Sequence, residues 1–176
     1  MTEASEFYKT YQADNDLSPL SHEVVNKILQ TSPSSVLEFG CGSCKNLKLI
    51  RDKQSSIKVY GIDISLMNVI VGSVKNDIDY IAFGDQDWLP RINSMDVVFT
   101  VSVLDHIEEV GDIIKEFKRM AKHVFLAEPL LDKPEAFYWA HDYEKLGFKK
   151  IDYEWKSNED GNTYYIWHWQ NIPCVG

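Results

Sequence analysis

Residues 36–44 read VLEFGCGSC, from Val36 to Cys44. Val36 to Phe39 is an apolar run short enough for one strand. Gly40 and Gly42 then break it, and a helix is expected from about Lys45 to Asp52. Strand, glycine loop and helix in this order open a parallel α/β sheet. The same alternation continues outward. Downstream, Ile57 to Ile62 reads as a second strand, and Ser65 can cap a helix reaching about Lys75. Ile78 to Phe83 is a third strand, and the β-branched run Asp96 to Val101 a fourth. Ile107 to Met120 carries Ile107, Val110, Ile113, Ile114 and Phe117 at helical spacing. Val124 to Ala127 is a fifth strand, and a helix is expected over Pro134 to Leu146, ended by Gly147. Upstream, Ser18-Pro19 marks a helix start, and Leu20, Val24, Val25, Ile28 and Leu29 follow on one face until Thr31-Ser32-Pro33-Ser34 stops it.

The tail changes character. Phe148 to Lys156 and Thr163 to Trp169 are aromatic-rich strands around the turn segment SNEDGN, which predicts an antiparallel hairpin. Together these elements give a doubly wound α/β fold: a mostly parallel, seven-stranded sheet ending in a C-terminal antiparallel hairpin.

The chain has 176 residues, enough for one domain with a full core. Residues 1–17 are polar with scattered aromatics and read as an N-terminal arm; residues 18–176 form the domain. Eighteen Lys and Arg against 27 Asp and Glu leave a net charge of -9, which argues against nucleic acid as a partner. The three cysteines, Cys41, Cys44 and Cys174, are too few for a disulfide framework. No apolar signal core opens the sequence, and no apolar run is long enough to span a membrane, so a cytoplasmic protein is expected.

In doubly wound sheets, ligands bind beyond the carboxyl ends of the strands. Three strands deliver an acid there: Glu38, Asp63 and Asp85. Each also has a plain structural role available, since glycines make tight turns and Asp caps helices. A dinucleotide fingerprint needs Gly-x-Gly-x-x-Gly, but its last position here is Lys45. Glu38 beside the loop would repel a pyrophosphate and suit a positive charge. Asp63 can accept from ribose hydroxyls and Asp85 from an exocyclic amine. A ligand with a cationic end, a ribose and an adenine but no phosphate satisfies all three, and S-adenosylmethionine has that inventory.

VLEFGCGSC, VYGIDIS, AFGDQDWLP and DVVFTVSVLDHI, in this order and spacing, resemble the class I S-adenosylmethionine-dependent methyltransferases, and HDYEKLGFKK plus a hairpin is similar to their C-terminal end. The likeness covers roughly residues 20–170 and implies the Rossmann-like methyltransferase fold. It implies that Glu38 reaches the methionine amine and that Gly40, Cys41 and Gly42 bring backbone close to the cofactor. Asp63 would hold the ribose, Ile64 pack on the adenine, and Asp85 with Gln86 meet the adenine amine. Thr100 and Val101 would line the methionine moiety. Two positions depart from the family pattern: Cys44 stands at the third loop glycine, and Val101 where many members carry a polar residue. The family signature for amino methylation of DNA bases or protein amides is absent after DVVFTV, so the expected acceptor is a small molecule methylated on O, N or C.

Other readings stand beside these. His106 is either a general base at the acceptor or a residue that packs at a helix start, and Asp105 shares the ambiguity. Tyr8 and Tyr11 could close over the cofactor as a lid, while Glu128 and His141 could border the acceptor pocket. Cys41-x-x-Cys44 could be a redox pair, but no metal site is expected, because zinc needs two further ligands. The hairpin aromatics, Trp155, Trp167 and Trp169 among them, belong to the core or to a homodimer or partner surface. A methyltransferase-like module without turnover and a nicotinamide-dependent enzyme are the alternative functions.

Overall fold

Helix α1 (Pro19–Gln30) starts where the Ser18 hydroxyl accepts from the Ser21 amide at 3.1 Å, with Pro19 at its first position. Its buried stripe of Leu20, Val24, Val25 and Ile28 faces the sheet. This computed structural model describes residues 17–76, 78–134 and 138–171. Then follow β1 (Ser35–Phe39), α2 (Lys45–Lys53), β2 (Lys58–Asp63), α3 (Leu66–Lys75) and β3 (Tyr80–Phe83). A 3-10 turn (Gln86–Arg91), β4 (Met95–Val101), a second 3-10 turn (Leu104–His106) and α4 (Gly111–Met120) lead to β5 (Ala121–Pro129). The hairpin β6 (Lys149–Lys156) and β7 (Thr163–Gln170) closes the order.

The seven strands lie in the order β3-β2-β1-β4-β5-β7-β6. The first five are parallel, and β7 runs antiparallel to both β5 and β6. The strand order reverses between β1 and β4, so the carboxyl ends of those two strands open the crevice where a ligand belongs. Side chains alternate between two core layers. Leu37, Val98, Leu126 and Trp167 join α4 on one face, and Val36, Phe99, Phe125 and Ile166 join α1 and α2 on the other.

Two expectations are corrected. The helix expected over 107–120 begins only at Gly111, as α4; residues 107–110 are not helical and follow the 3-10 turn at Leu104–His106. The His141 ring nitrogen bonds the carbonyls of Leu104 and Ile107 at 2.9 Å each, taking acceptors that a continuous helix would use. The helix expected over 134–146 is also absent from its described part, which holds a turn over residues 143–147. There the Trp139 amide donates to the Asp105 carbonyl at 2.6 Å, so a long-range bond replaces a local one. Of the two readings of the hairpin aromatics, the described rings take the core: Tyr165, Trp167 and Trp169 pack on one core layer, and Tyr164 and Ile166 on the other. Apart from Leu130 after β5, the exposed large apolar side chains lie on α3 (Leu66, Met67, Ile70, Val74) and β3 (Tyr80, Phe83). Among the described residues, no helix is long and apolar enough to cross a membrane.

Candidate active site

The loop after β1 is built around close backbone approach. Gly40 has φ +71°, and its amide and that of Cys41 both donate to the Ile62 carbonyl, at 2.8 and 3.0 Å. A side chain at Gly40 would put its Cβ 2.4 Å from a Val103 methyl, so the loop and the turn after β4 are in contact only because Gly40 has none. Gly42 and Cys44 also have positive φ, 51° and 65°. Cys44 takes the left-handed conformation without being glycine, at a cost of about 1 kcal/mol. Its thiol is fully buried, 3.5 Å from the Cys41 sulfur and against Gly72. The hydrogen bond with the Cys44 thiol, and then burial, hold the Cys41 thiol well above its ordinary pKa. Among the described residues, no group of three metal-ligating side chains gathers anywhere.

Glu38 leaves β1 just below this loop and is 1% exposed. Its Oε1 accepts from the Asn46 amide at 2.6 Å, whereas its Oε2 is buried with no hydrogen-bond partner. Burial drives its pKa well above the usual carboxylate range. Asp63, at the end of β2, is different. Its Oδ2 accepts from the Gly42 amide at 2.7 Å and its Oδ1 from the Ser65 amide at 2.8 Å. Burial raises its pKa, and these backbone bonds oppose the rise. Ile64 beyond it is half-buried. Asp85 and Gln86 are exposed, with Asp85 capping the 3-10 turn by accepting from the Asp87 amide at 3.0 Å.

A cavity of about 890 Å³ opens beside Glu38. One wall is the glycine loop with Lys45 and Asn46; another is the end of α1 from Leu17 to Pro19. Val101, Ser102, His106 and Tyr138 lie at its back. The tip of the β6–β7 hairpin, Ser157 to Asp160, forms the far wall with Trp155 and Tyr164. The cavity therefore joins Glu38, Gly40, Cys41, Gly42, Val101 and His106, whereas Asp63, Ile64, Asp85 and Gln86 lie outside it along the β2–β3 edge. Tyr8 and Tyr11 fall outside the described residues.

The remaining candidates sit under the cavity wall. Thr100 is fully buried and its hydroxyl donates to Glu128 at 2.6 Å. Glu128, also fully buried, accepts from the Val103 and Leu104 amides at 3.0 and 3.2 Å. Asp105 is 1% exposed, and the His106 Nε2 lies 3.7 Å from its Oδ1. The His106 ring packs on Tyr138, centroids 4.9 Å apart. His141 is spent on the turn carbonyls. The reading from residues missed Asn46 and the hairpin tip. Asn46 lies in the first turn of a helix following an acid, a position with no distinctive spacing. The tip looked like a plain hairpin turn, and only sheet order carries it to the ends of β1 and β4.

A family model for a methyltransferase domain matches residues 11–171. A curated relative, the bifunctional methionine biosynthesis protein MetXA/MetW of Rhodopirellula baltica, is 24% identical over 141 residues. That match covers 73% of this chain but 22% of the relative, so the chain spans about a fifth of its length. Among solved structures, the N-methyltransferase NodS of Bradyrhizobium japonicum WM9, in complex with S-adenosyl-L-homocysteine, superposes with a TM-score of 0.71 at 13% identity, covering 96% of this chain and 97% of that one. The N-terminal domain of EvdMO1 with that same ligand bound gives 0.68 at 11%, covering 96% and 94%. The methyltransferase domain of a bacterial CtHen1 gives 0.65 at 17%, covering 89% and 100%. At these identities the superpositions establish the fold, and the family model extends over nearly all of it. With the glycine loop, the buried acid beneath it and the strand order in place, the chain belongs to the methyltransferase-domain family and shares the fold of the superposed methyltransferases.

Proposed function

We propose that the cavity between the glycine loop and the hairpin tip takes the methionine half of S-adenosylmethionine together with a small-molecule acceptor. The observation that carries this reading is Glu38: a buried carboxylate on the cavity wall with one oxygen unpartnered. Such an oxygen is costly to bury unless a ligand meets it, and a primary ammonium does so with a charge-assisted bond. Gly40, Cys41 and Gly42 bring backbone against the ligand, and Val101 flanks it. Thr100 contributes from beneath, by fixing Glu128. Asp63, both of whose oxygens already hold backbone amides, keeps lone pairs for ribose hydroxyls. Ile64 covers the adenine, and Asp85 and Gln86 meet its amine on the open β2–β3 edge.

When bound, S-adenosylmethionine supplies a methyl group already activated on a sulfonium. The protein's share is alignment and exclusion of water. Tyr138, Trp155 and Tyr164 line the cavity on the side given to the acceptor, and His106, also on that lining, takes a proton from its O, N or C nucleophile. Glu159 and Asp160 make that wall acidic, which suits a small molecule better than a phosphate backbone. Leu17 leads from the cavity wall, which favours Tyr8 and Tyr11 as a cover.

Thermal melts with S-adenosylmethionine, S-adenosylhomocysteine and NAD test the cofactor site. The adenosyl ligands at about 100 times their dissociation constants raise the midpoint by roughly 5–10 °C and NAD leaves it unchanged. A rise with NAD alone overturns the reading. Labelled-methyl transfer to a panel of small amines, phenols and hydroxy acids identifies the nucleophile. With an acceptor in hand, His106→Ala lowers turnover at least about 100-fold, and an unchanged rate removes it as a base.

A further inference from the structure

Two buried acids below the cavity have no part in the chemistry above. Glu128 ends β5 with 0% exposure, and Asp105 in the turn after β4 has 1%. Glu128 accepts from the Thr100 hydroxyl and from the Val103 and Leu104 amides. Both Asp105 oxygens are buried with no hydrogen-bond partner among the described residues, and the Leu104 amide next to Asp105 donates to Glu128, so the two carboxyl groups are neighbours. Two carboxyl groups can share a hydrogen bond only if one carries a proton. The turn they hold matters to the site. Ser102 lies on the cavity wall with φ 54°, and Val103 presses its methyls on Gly40 of the glycine loop.

We propose that Glu128 and Asp105 are positioning residues: a proton-sharing carboxyl pair that locks the turn after β4 against the cofactor loop, so that loss of the shared proton weakens cofactor binding. This rests on the reading of the cavity as the cofactor site. Desolvation raises the pKa of both groups, and each opposes ionisation of the other. The groups facing them are His106 on the same turn, Tyr143 after β5, and Asp160 and Tyr164 on the hairpin. Asp160 adds to the opposition, while His106 is the group that could offset it once protonated. When both carboxyls ionise, two negative charges face each other in a site closed to water. The contact relaxes by moving Glu128 or the turn, and Val103 moves with the turn.

The test uses the full chain and S-adenosylhomocysteine as the probe, with calorimetric dissociation constants at about pH 6.5 and about pH 8.5. The wild type weakens about tenfold or more over that span. Glu128→Gln and Asp105→Asn, which cannot form two facing charges, change less than about threefold. Ionisation of Glu38 acts in the opposite direction and is common to all three proteins. A wild-type constant that does not weaken, or variants that track the wild type, overturns the proposal. Carbon NMR of Glu and Asp carboxyl groups in the wild type gives a second, ligand-free readout. A carboxyl resonance, identified by its loss in either variant, titrates near neutrality; ordinary acidic titration of both groups overturns the shared proton even if neither variant folds. Failure of the wild type to bind the probe at the lower pH strikes the cavity reading instead, and the NMR titration then decides the pair.

Discussion

Acids on the two sides of the glycine loop live in opposite circumstances. Toward β3, Asp63 and Asp85 hold backbone amides, Asp63 with both oxygens. Toward β7, Glu38 and Asp105 are buried with three oxygens unpartnered, and Glu128 shares that burial although it accepts from two amides and a hydroxyl. The difference separates two uses of the same functional group. A carboxylate met by N–H groups shapes the backbone and keeps its charge cheaply. One buried without enough donors waits for a ligand or holds a proton.

The sharpest way to break this comparison is Glu38→Gln. Removing one partner of a buried charged contact costs about 2–5 kcal/mol, so S-adenosylhomocysteine affinity falls at least about 30-fold by calorimetry. The melting point of the ligand-free protein holds or rises, because a buried carboxyl that burial disfavours as an anion has become a neutral amide. A loss in affinity below about threefold would mean that the orphan oxygen seats no ligand.

Gly40→Ala comes next, and tests the contact joining the two sides. The positive φ and the Val103 methyl at 2.4 Å oppose a side chain there. The expected loss is about 2 kcal/mol, or roughly 6 °C in the melt. Adding Val103→Ala to Gly40→Ala recovers part of it, and strict additivity of the two changes denies the contact.

A smaller effect comes from pH. Asp105 and Glu128 have folded pKa values raised to about 7 and about 8, above those of the unfolded chain. The stability tied to their protonated forms is complete below the unfolded values and is lost as pH rises through the folded ones. The melting point therefore falls by roughly 5 °C between about pH 6 and about pH 9. Glu128→Gln flattens that slope, and a slope unchanged in the variant assigns it to other groups.

The smallest change belongs to the open edge. Asp85→Ala removes an exposed acceptor worth about 1 kcal/mol, roughly a fivefold loss in S-adenosylhomocysteine affinity. A loss as large as that of Glu38→Gln would erase the distinction between the sides.

The alternation of short apolar runs with capped helices was enough to read the sheet, and Ser18-Pro19 and Ser65 marked real helix starts. Strand 5 was read as Val124 to Ala127 but runs from Ala121 to Pro129, because pairing with β7 extends it. The segment after β5 was misread since its amides and rings bond to the turn after β4, and helical spacing cannot report a bond to a residue thirty positions earlier. In the site, Glu38 was visible because a strand-ending acid before a glycine loop has few structural uses. Asn46 and the hairpin tip were not, since their roles depend on what stands across the crevice.

By itself the sequence determined the order of elements, the parallel core and the three strand-ending acids, because period, capping and turn chemistry are local. The tertiary structure alone decided which acids are saturated and which are left wanting. It closed the cavity with a hairpin from the far end of the chain and buried Glu128 under a turn whose Val103 stands 25 residues before it. Burial and donor count are properties of surroundings, and surroundings are assembled only when distant segments meet.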